Sequence, residues 1–145
     1  MKIKTLSIAE SCTGGLLGHL ITETPGSSKY FIGGLITYSD DVKIQKLGIP
    51  KTELAAHGAV SEYTATLMAK KVRRAFKTDV GIGITGIAGP EGGTQQKPVG
   101  LVYIAASTPG KVACQKHVFK GSRHSIKQQS ARAALKLARQ ELRRQ

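Results

Sequence analysis

Apolar and polar positions in this chain fall into two alternating regimes, short β-like runs and longer stretches of helical period. Residues 3–8 show partial alternation and read as a strand. Residues 14–23 place Leu16, Leu17, Leu20 and Ile21 on one side of a helix, which Pro25-Gly26-Ser27-Ser28 breaks. Residues 31–38, Phe-Ile-Gly-Gly-Leu-Ile-Thr-Tyr, read as a buried strand, and 40–47 as a short helix closed by Gly48 and Pro50. Ser61 is positioned to cap a longer helix carrying Ala65, Leu67, Met68, Val72 and Ala75. Asp79 to Thr85 predicts a strand and 86–97 a glycine-rich loop. Val99–Ser107 and Val112–Phe119 form a hairpin through Pro109-Gly110. From Ser125 to about Arg144 an amphipathic helix carries Ile126, Ala133, Ala134, Leu137, Ala138 and Leu142 on its apolar side.

The order β-α-β-α-α-β-β-β-α predicts an α/β fold. Alternation in the first half implies a mainly parallel sheet, and the hairpin makes one strand antiparallel. With 145 residues the chain is expected to be one domain, 1–145, long enough to bury a full core. No apolar run approaches the roughly 20 residues that span a bilayer. The first residues, Met1-Lys2-Ile3-Lys4-Thr5, lack the features of a signal peptide. Two cysteines, Cys12 and Cys114, make neither a disulfide framework nor a metal-ligand spacing, so a reduced, cytoplasmic protein is expected.

Three polar segments each follow a predicted strand, and an open α/β sheet draws its ligand crevice from such segments. The first is Ala9-Glu10-Ser11-Cys12-Thr13-Gly14-Gly15. It sets a small nucleophilic side chain at a strand-to-helix junction, where N–H groups of the helix start can meet an anion or an oxyanion. The second, Thr37-Tyr38-Ser39-Asp40-Asp41-Val42-Lys43, offers Tyr38 and Lys43; the third is Thr85-Gly86-Ile87-Ala88-Gly89-Pro90-Glu91-Gly92-Gly93. Read alone, Ser11 is a helix cap or a nucleophile, Cys12 is a rival nucleophile, and Lys43 is a solvated charge. Four scattered histidines with no paired spacing give no metal site.

Together these segments resemble the CinA carboxy-terminal domain family, which also occurs alone as nicotinamide-nucleotide amidases of the PncC type. The resemblance covers nearly the whole chain. It adds Leu47-Gly48, His57-Gly58-Ala59-Val60-Ser61-Glu62, Asp79-Val80-Gly81 and Lys97-Pro98-Val99-Gly100 to the three clusters. It implies a three-layer α/β/α domain with a mixed sheet. It also implies hydrolysis of the carboxamide of nicotinamide mononucleotide to nicotinate mononucleotide and ammonia, in pyridine nucleotide salvage. In that reading Ser11 is the nucleophile, Lys43 its base and Tyr38 an orienting or proton-relay group. Glu10, Thr13, Gly14, Thr85, Gly86, Ala88 and Gly89 bind substrate, and Arg123 meets its phosphate. Neither a metal nor a cofactor is expected.

Two departures stand out. Members usually carry a helix before the first strand, whereas this chain begins almost at that strand, so another element, such as a second subunit in a homo-oligomer, is expected to cover that part of the sheet. The family's Phe-x-Gly-Asp-Arg, followed by a further arginine, is here Phe119-Lys120-Gly121-Ser122-Arg123, with Lys127 in the later position.

Net charge adds a second functional class. Of the formal +13, most lies in residues 111–145, where ten Lys/Arg face one acid, Glu141. Arg132, Lys136, Arg139 and Arg143 recur at helical spacing and make a basic stripe. The alternative reading is therefore a non-catalytic, nucleic-acid-associated module. Seven aromatics in the whole chain leave little for base stacking, so any such binding is expected to be weak and sequence-independent.

Overall fold

A computed structural model describes residues 2–145. Five strands form one sheet: β1 (Leu6–Glu10), β2 (Phe31–Ile36), β3 (Val80–Gly86), β4 (Leu101–Thr108) and β5 (Lys111–Val118). Their order is β2-β1-β3-β4-β5. β1 pairs in parallel with β2 and β3, and β4 runs antiparallel to both β3 and β5. One strand, β4, thus opposes the other four, as expected from the hairpin. Helices α1 (Leu16–Thr22) and α5 (Arg123–Arg143) pack on one face. Helices α2 (Asp40–Leu47), α3 (Lys51–His57) and α4 (Glu62–Phe76) cover the other, giving three layers.

Two features depart from the sequence reading. β1 lies at 6–10 rather than 3–8 and is buried along its whole length, including Ser7 and Glu10. Ser7 is accommodated by hydrogen bonding between its Oγ and Thr78 Oγ1 at 2.7 Å and by donation to the Val72 carbonyl. Helix α3 occupies a stretch read as a connection, because among its residues only Leu54 is buried and no apolar stripe announces it.

The long helix α4 lies close on the sheet. Its contact residues include Ala65 and Ala69, and the strand beneath offers Gly81 and Gly83. A Cβ on Gly83 would come within 2.5 Å of the Ala65 carbonyl oxygen, so only glycine allows this approach. The main core on the α1/α5 face joins Leu6, Ile8, Leu17, Ile21, Ile82, Ile104 and Leu137. Each such side chain contributes about 1.5–3 kcal/mol by leaving water. Ser61 caps α4 by accepting from the Thr64 N–H, as read from the sequence; Ser39 does the same for α2 at Val42. No helix of the described residues is long and apolar enough to cross a membrane.

The connections set the position of the site. From β1 the chain leaves through α1 on one face, and it returns to β3 from α4 on the other. The strand order reverses direction between β1 and β3, and the crevice lies beyond their carboxyl ends, which stay paired as far as Glu10 and Ile84. A wider cavity, about 670 Å³, lies at the opposite end of the sheet, where Ile3, Tyr30 and Leu142 are rimmed by Lys2, Lys4 and Arg139.

Candidate active site

β1 ends at Glu10, and the next residue, Ser11, is fixed by its N–H donating to the Ile84 carbonyl of β3 at 3.0 Å. The chain then turns, with Gly14 N–H donating back to the Ser11 carbonyl, and enters α1 through Gly15 at φ 107°. Ser11 is therefore no helix cap: Gly15 takes that position. Capping is done by Glu10. Its buried carboxylate accepts from Thr13 Oγ1 at 2.6 Å and from the N–H groups of Gly15, Leu17 and Gly18 at 3.2, 2.9 and 2.9 Å. The amides of α1 are thus already engaged, and the helix start is closed to an external anion. Glu10, expected among the substrate-binding residues, lies outside the cavity and shapes the loop that presents Ser11.

Lys43 reaches the same point from α2. Capped by Ser39, α2 directs this side chain inward, where it is 1% exposed. Its Nζ donates to the carbonyls of Thr37 and Tyr38 at 2.8 and 3.1 Å and contacts Ser11 Oγ at 3.1 Å. Burial holds the Lys43 amine below the ordinary lysine value. Asp40, one turn earlier, pulls the other way, followed by Cys12. Neutral Lys43 has two N–H donors for the two carbonyls, which leaves its lone pair for the Ser11 hydroxyl.

A cavity of about 200 Å³ surrounds this pair, lined by Ser11, Cys12, Tyr38, Lys43, Ala59, Val60, Thr85, Gly86, Ala88 and Arg123. Thr85 is anchored by donating to the Ala59 carbonyl at 2.8 Å, which ties the end of β3 to the loop between α3 and α4. Arg123, in the first turn of α5, donates to the Gly89 carbonyl at 2.6 Å and to the Tyr38 hydroxyl at 3.2 Å. Tyr38 is 60% exposed and sits at the mouth. Cys12 also lines the cavity, but burial, above all other effects, pushes its thiol up to about 12, so it stays protonated. The backbone N–H of Thr13 has no backbone acceptor among the described residues, and that of Cys12 is turned toward its own thiol.

Nearly all the expected residues thus meet at one edge of the sheet. Ser11, Lys43, Tyr38, Thr85, Gly86, Ala88 and Arg123 line one cavity, and Gly89 closes it through its carbonyl. Thr13 and Gly14 face an adjacent one. The sequence reading missed Ala59 and Val60, although His57-Gly58-Ala59-Val60 had marked the segment. It also missed the carbonyls of Thr37 and Tyr38, which no side-chain pattern signals. Among the described residues, no three of His, Cys, Asp and Glu cluster closely enough to hold a metal ion.

Comparison with known proteins agrees with this architecture. The chain is 54% identical over 141 residues to a putative competence-damage inducible protein of Moorella thermoacetica, which covers 97% of this chain and 34% of that protein. It is 50% identical over 135 residues to a CinA-like protein of Gemmatimonas aurantiaca, covering 93% of this chain and 32% of the relative. The chain spans about a third of the length of these curated relatives. Among solved structures, the competence/damage inducible protein CihA of Agrobacterium tumefaciens superposes with a TM-score of 0.92 at 37% identity, over 96% of this chain and 86% of that one. A CinA superfamily protein of Escherichia coli gives 0.90 at 33%, over 95% and 80%. The profile of the CinA C-terminal domain matches residues 1–142, and the chain belongs to that family.

Proposed function

We propose that this protein is an amidohydrolase that deamidates nicotinamide mononucleotide to nicotinate mononucleotide and ammonia. The observation that carries the chemistry is the buried Lys43 Nζ, 3.1 Å from Ser11 Oγ and free of any carboxylate partner among the described residues. The substrate rests on the family resemblance of the motifs.

In this reading neutral Lys43 takes the Ser11 proton as Oγ attacks the carboxamide carbon. The oxyanion that forms meets the backbone N–H groups of Cys12 and Thr13, neither of which is engaged by another backbone carbonyl. The tetrahedral intermediate collapses and breaks the C–N bond, with Lys43 returning its proton to the departing ammonia. Ser11 now carries an ester of the nicotinate mononucleotide. Water, deprotonated by Lys43, attacks that ester, and the carboxylate product leaves with Ser11 restored. Arg123 holds Tyr38 over the mouth, which supports a positioning role for the phenol. Each step uses a hydroxyl, an amine and backbone donors, so no metal enters the scheme.

The test is ammonia release from nicotinamide mononucleotide by the purified protein. Product formation that disappears in Ser11→Ala supports the reading; absence of turnover by the folded protein at any pH between 6 and 9 overturns it.

One observation favours the second reading. Arg132, Lys136, Arg139 and Arg143 are all exposed and line a shallow groove of about 410 Å³ on α5. This surface supports weak, salt-sensitive contact with polyanions. Binding to random oligonucleotides at two salt concentrations tests it. Tight, sequence-selective and salt-resistant binding without amidase activity would reverse the order of the two readings.

A further inference from the structure

A second polar cavity, about 350 Å³, adjoins the one around Ser11 on the far side of the Cys12–Gly14 turn. Its walls carry Thr13, Gly14, His19, His124 and Lys127, and no acidic residue lines it. Lys127 and His124 make no hydrogen bond or ion pair to any described residue. His19 is partly engaged, its Nε2 lying 3.0 Å from Glu23. Above the turn, Lys127 Nζ would lie 3.9 Å from a Cβ built on Gly14, so the amine overhangs bare backbone.

We propose that this basic cavity is the subsite for the phosphomonoester of the substrate, with Lys127 as its cation and His124 as a hydrogen-bond donor. The inference rests on the amidase reading for the identity of the rest of the ligand. The two cavities share one helix: Arg123 and Lys127 stand one turn apart on α5, the first aimed at the Ser11 cavity and the second at its neighbour. Arg123 is held in place by the Gly89 carbonyl and the Tyr38 hydroxyl at the Ser11 cavity, whereas Lys127 faces the neighbouring one, so the phosphate is assigned to Lys127. The Ser11–Gly14 hydrogen bond makes that segment a tight turn, whose ends lie within about 7 Å, so Ser11 on one side and Gly14 on the other are close neighbours. α1 adds no attraction of its own, because Glu10 already occupies its amides. A phosphate dianion there gains charge-assisted hydrogen bonds from side chains instead.

The experiment compares nicotinamide mononucleotide with nicotinamide riboside, and titrates inorganic phosphate by observing the backbone amide signals of Gly14 and Gly15. For wild type, phosphate shifts these signals and inhibits turnover competitively. In the Lys127→Gln, His124→Gln double variant the ratio of kcat/KM for nucleotide over riboside falls at least roughly tenfold, mostly through KM. Lys111→Gln, which removes an equivalent charge at the distant hairpin, serves as the control. If both substrates are hydrolysed and the double variant leaves the ratio unmoved, the subsite is wrong and the amidase reading survives. If neither substrate is hydrolysed but phosphate shifts Gly14 and Gly15 in wild type and not in the double variant, the subsite stands and the amidase reading falls. Phosphate that moves neither signal in wild type overturns the subsite.

Discussion

Glu10 and Lys43 are both buried ionisable side chains at the same edge of the sheet, beside the same serine, yet they are built for opposite ends. Around Glu10 the start of α1 supplies three N–H donors and a hydroxyl. A carboxylate accepts only, so this set matches its charged form and leaves it nothing further to do. Around Lys43 the partners are two carbonyls and one hydroxyl, all neutral. They suit the three N–H groups of the ammonium as well as the two N–H groups and lone pair of the neutral amine, and burial tips the balance toward the neutral form. Burial acts on both groups; what differs is whether the partners are donors only, as around Glu10, or accept the amine with or without its proton, as around Lys43.

Removing the nucleophile beside the two groups gives the largest expected effect. Ser11→Ala lowers turnover by at least about 10³-fold while the thermal melt and ligand binding stay near wild type. Near-normal turnover in that variant would remove Ser11 from the chemistry. Lys43→Arg comes next, with a loss of about 10²- to 10⁴-fold, because arginine keeps the charge but cannot surrender its proton. Retained activity would make Lys43 a fixed cation instead of a base. Glu10→Ala breaks the comparison on its other side. Several buried N–H groups lose their acceptor, and stability falls by roughly 3 kcal/mol, or roughly 6–12 °C in Tm. Turnover lost without any fall in Tm would mean that Glu10 acts in the reaction.

The pH profile sharpens the contrast without a mutation. The base form of Lys43 is neutral and its affinity for protons is lowered. The wild-type kcat/KM therefore rises with pH and levels off below the ordinary lysine value of about 10.4. A flat profile from pH 6 to 9 contradicts a lysine base. The smallest effect is expected of Cys12→Ser, since the thiol stays protonated and unreactive. A loss matching that of Ser11→Ala would return the nucleophile to Cys12.

Much of this arrangement was legible before the structure, though for different reasons in different places. The strands β2 to β5 and helices α2, α4 and α5 follow from apolar period and turn chemistry. β1 was displaced because a strand buried on both faces carries Ser7 and Glu10, and these polar residues disguise it. α3 has too little buried surface to leave a periodic signal. At the site, Ser11 and Lys43 stand 32 residues apart, and nothing local in either segment marks them as partners. The resemblance suggested the pair; contact followed only from α2 turning Lys43 inward. Glu10 was read as a ligand contact because the sequence does not reveal that the helix amides would face back onto it. Lys127 stood out only as the residue in place of the family's later arginine, and nothing joined it to His124, since charge along a sequence says little about which cations share a cavity.

The reversed strand β4 has a practical use. Because it runs against its neighbours, it carries the chain from Gly100, beside the chemistry, to the exposed Pro109-Gly110 turn at the opposite end of the sheet. β5 then brings the chain back to Phe119, whose N–H donates to the Gly100 carbonyl. The hairpin tip is thus a remote handle. A fluorophore, an affinity tag or an anchor to a surface inserted between Pro109 and Gly110 hangs from the far side of the molecule and leaves the Ser11 cavity open.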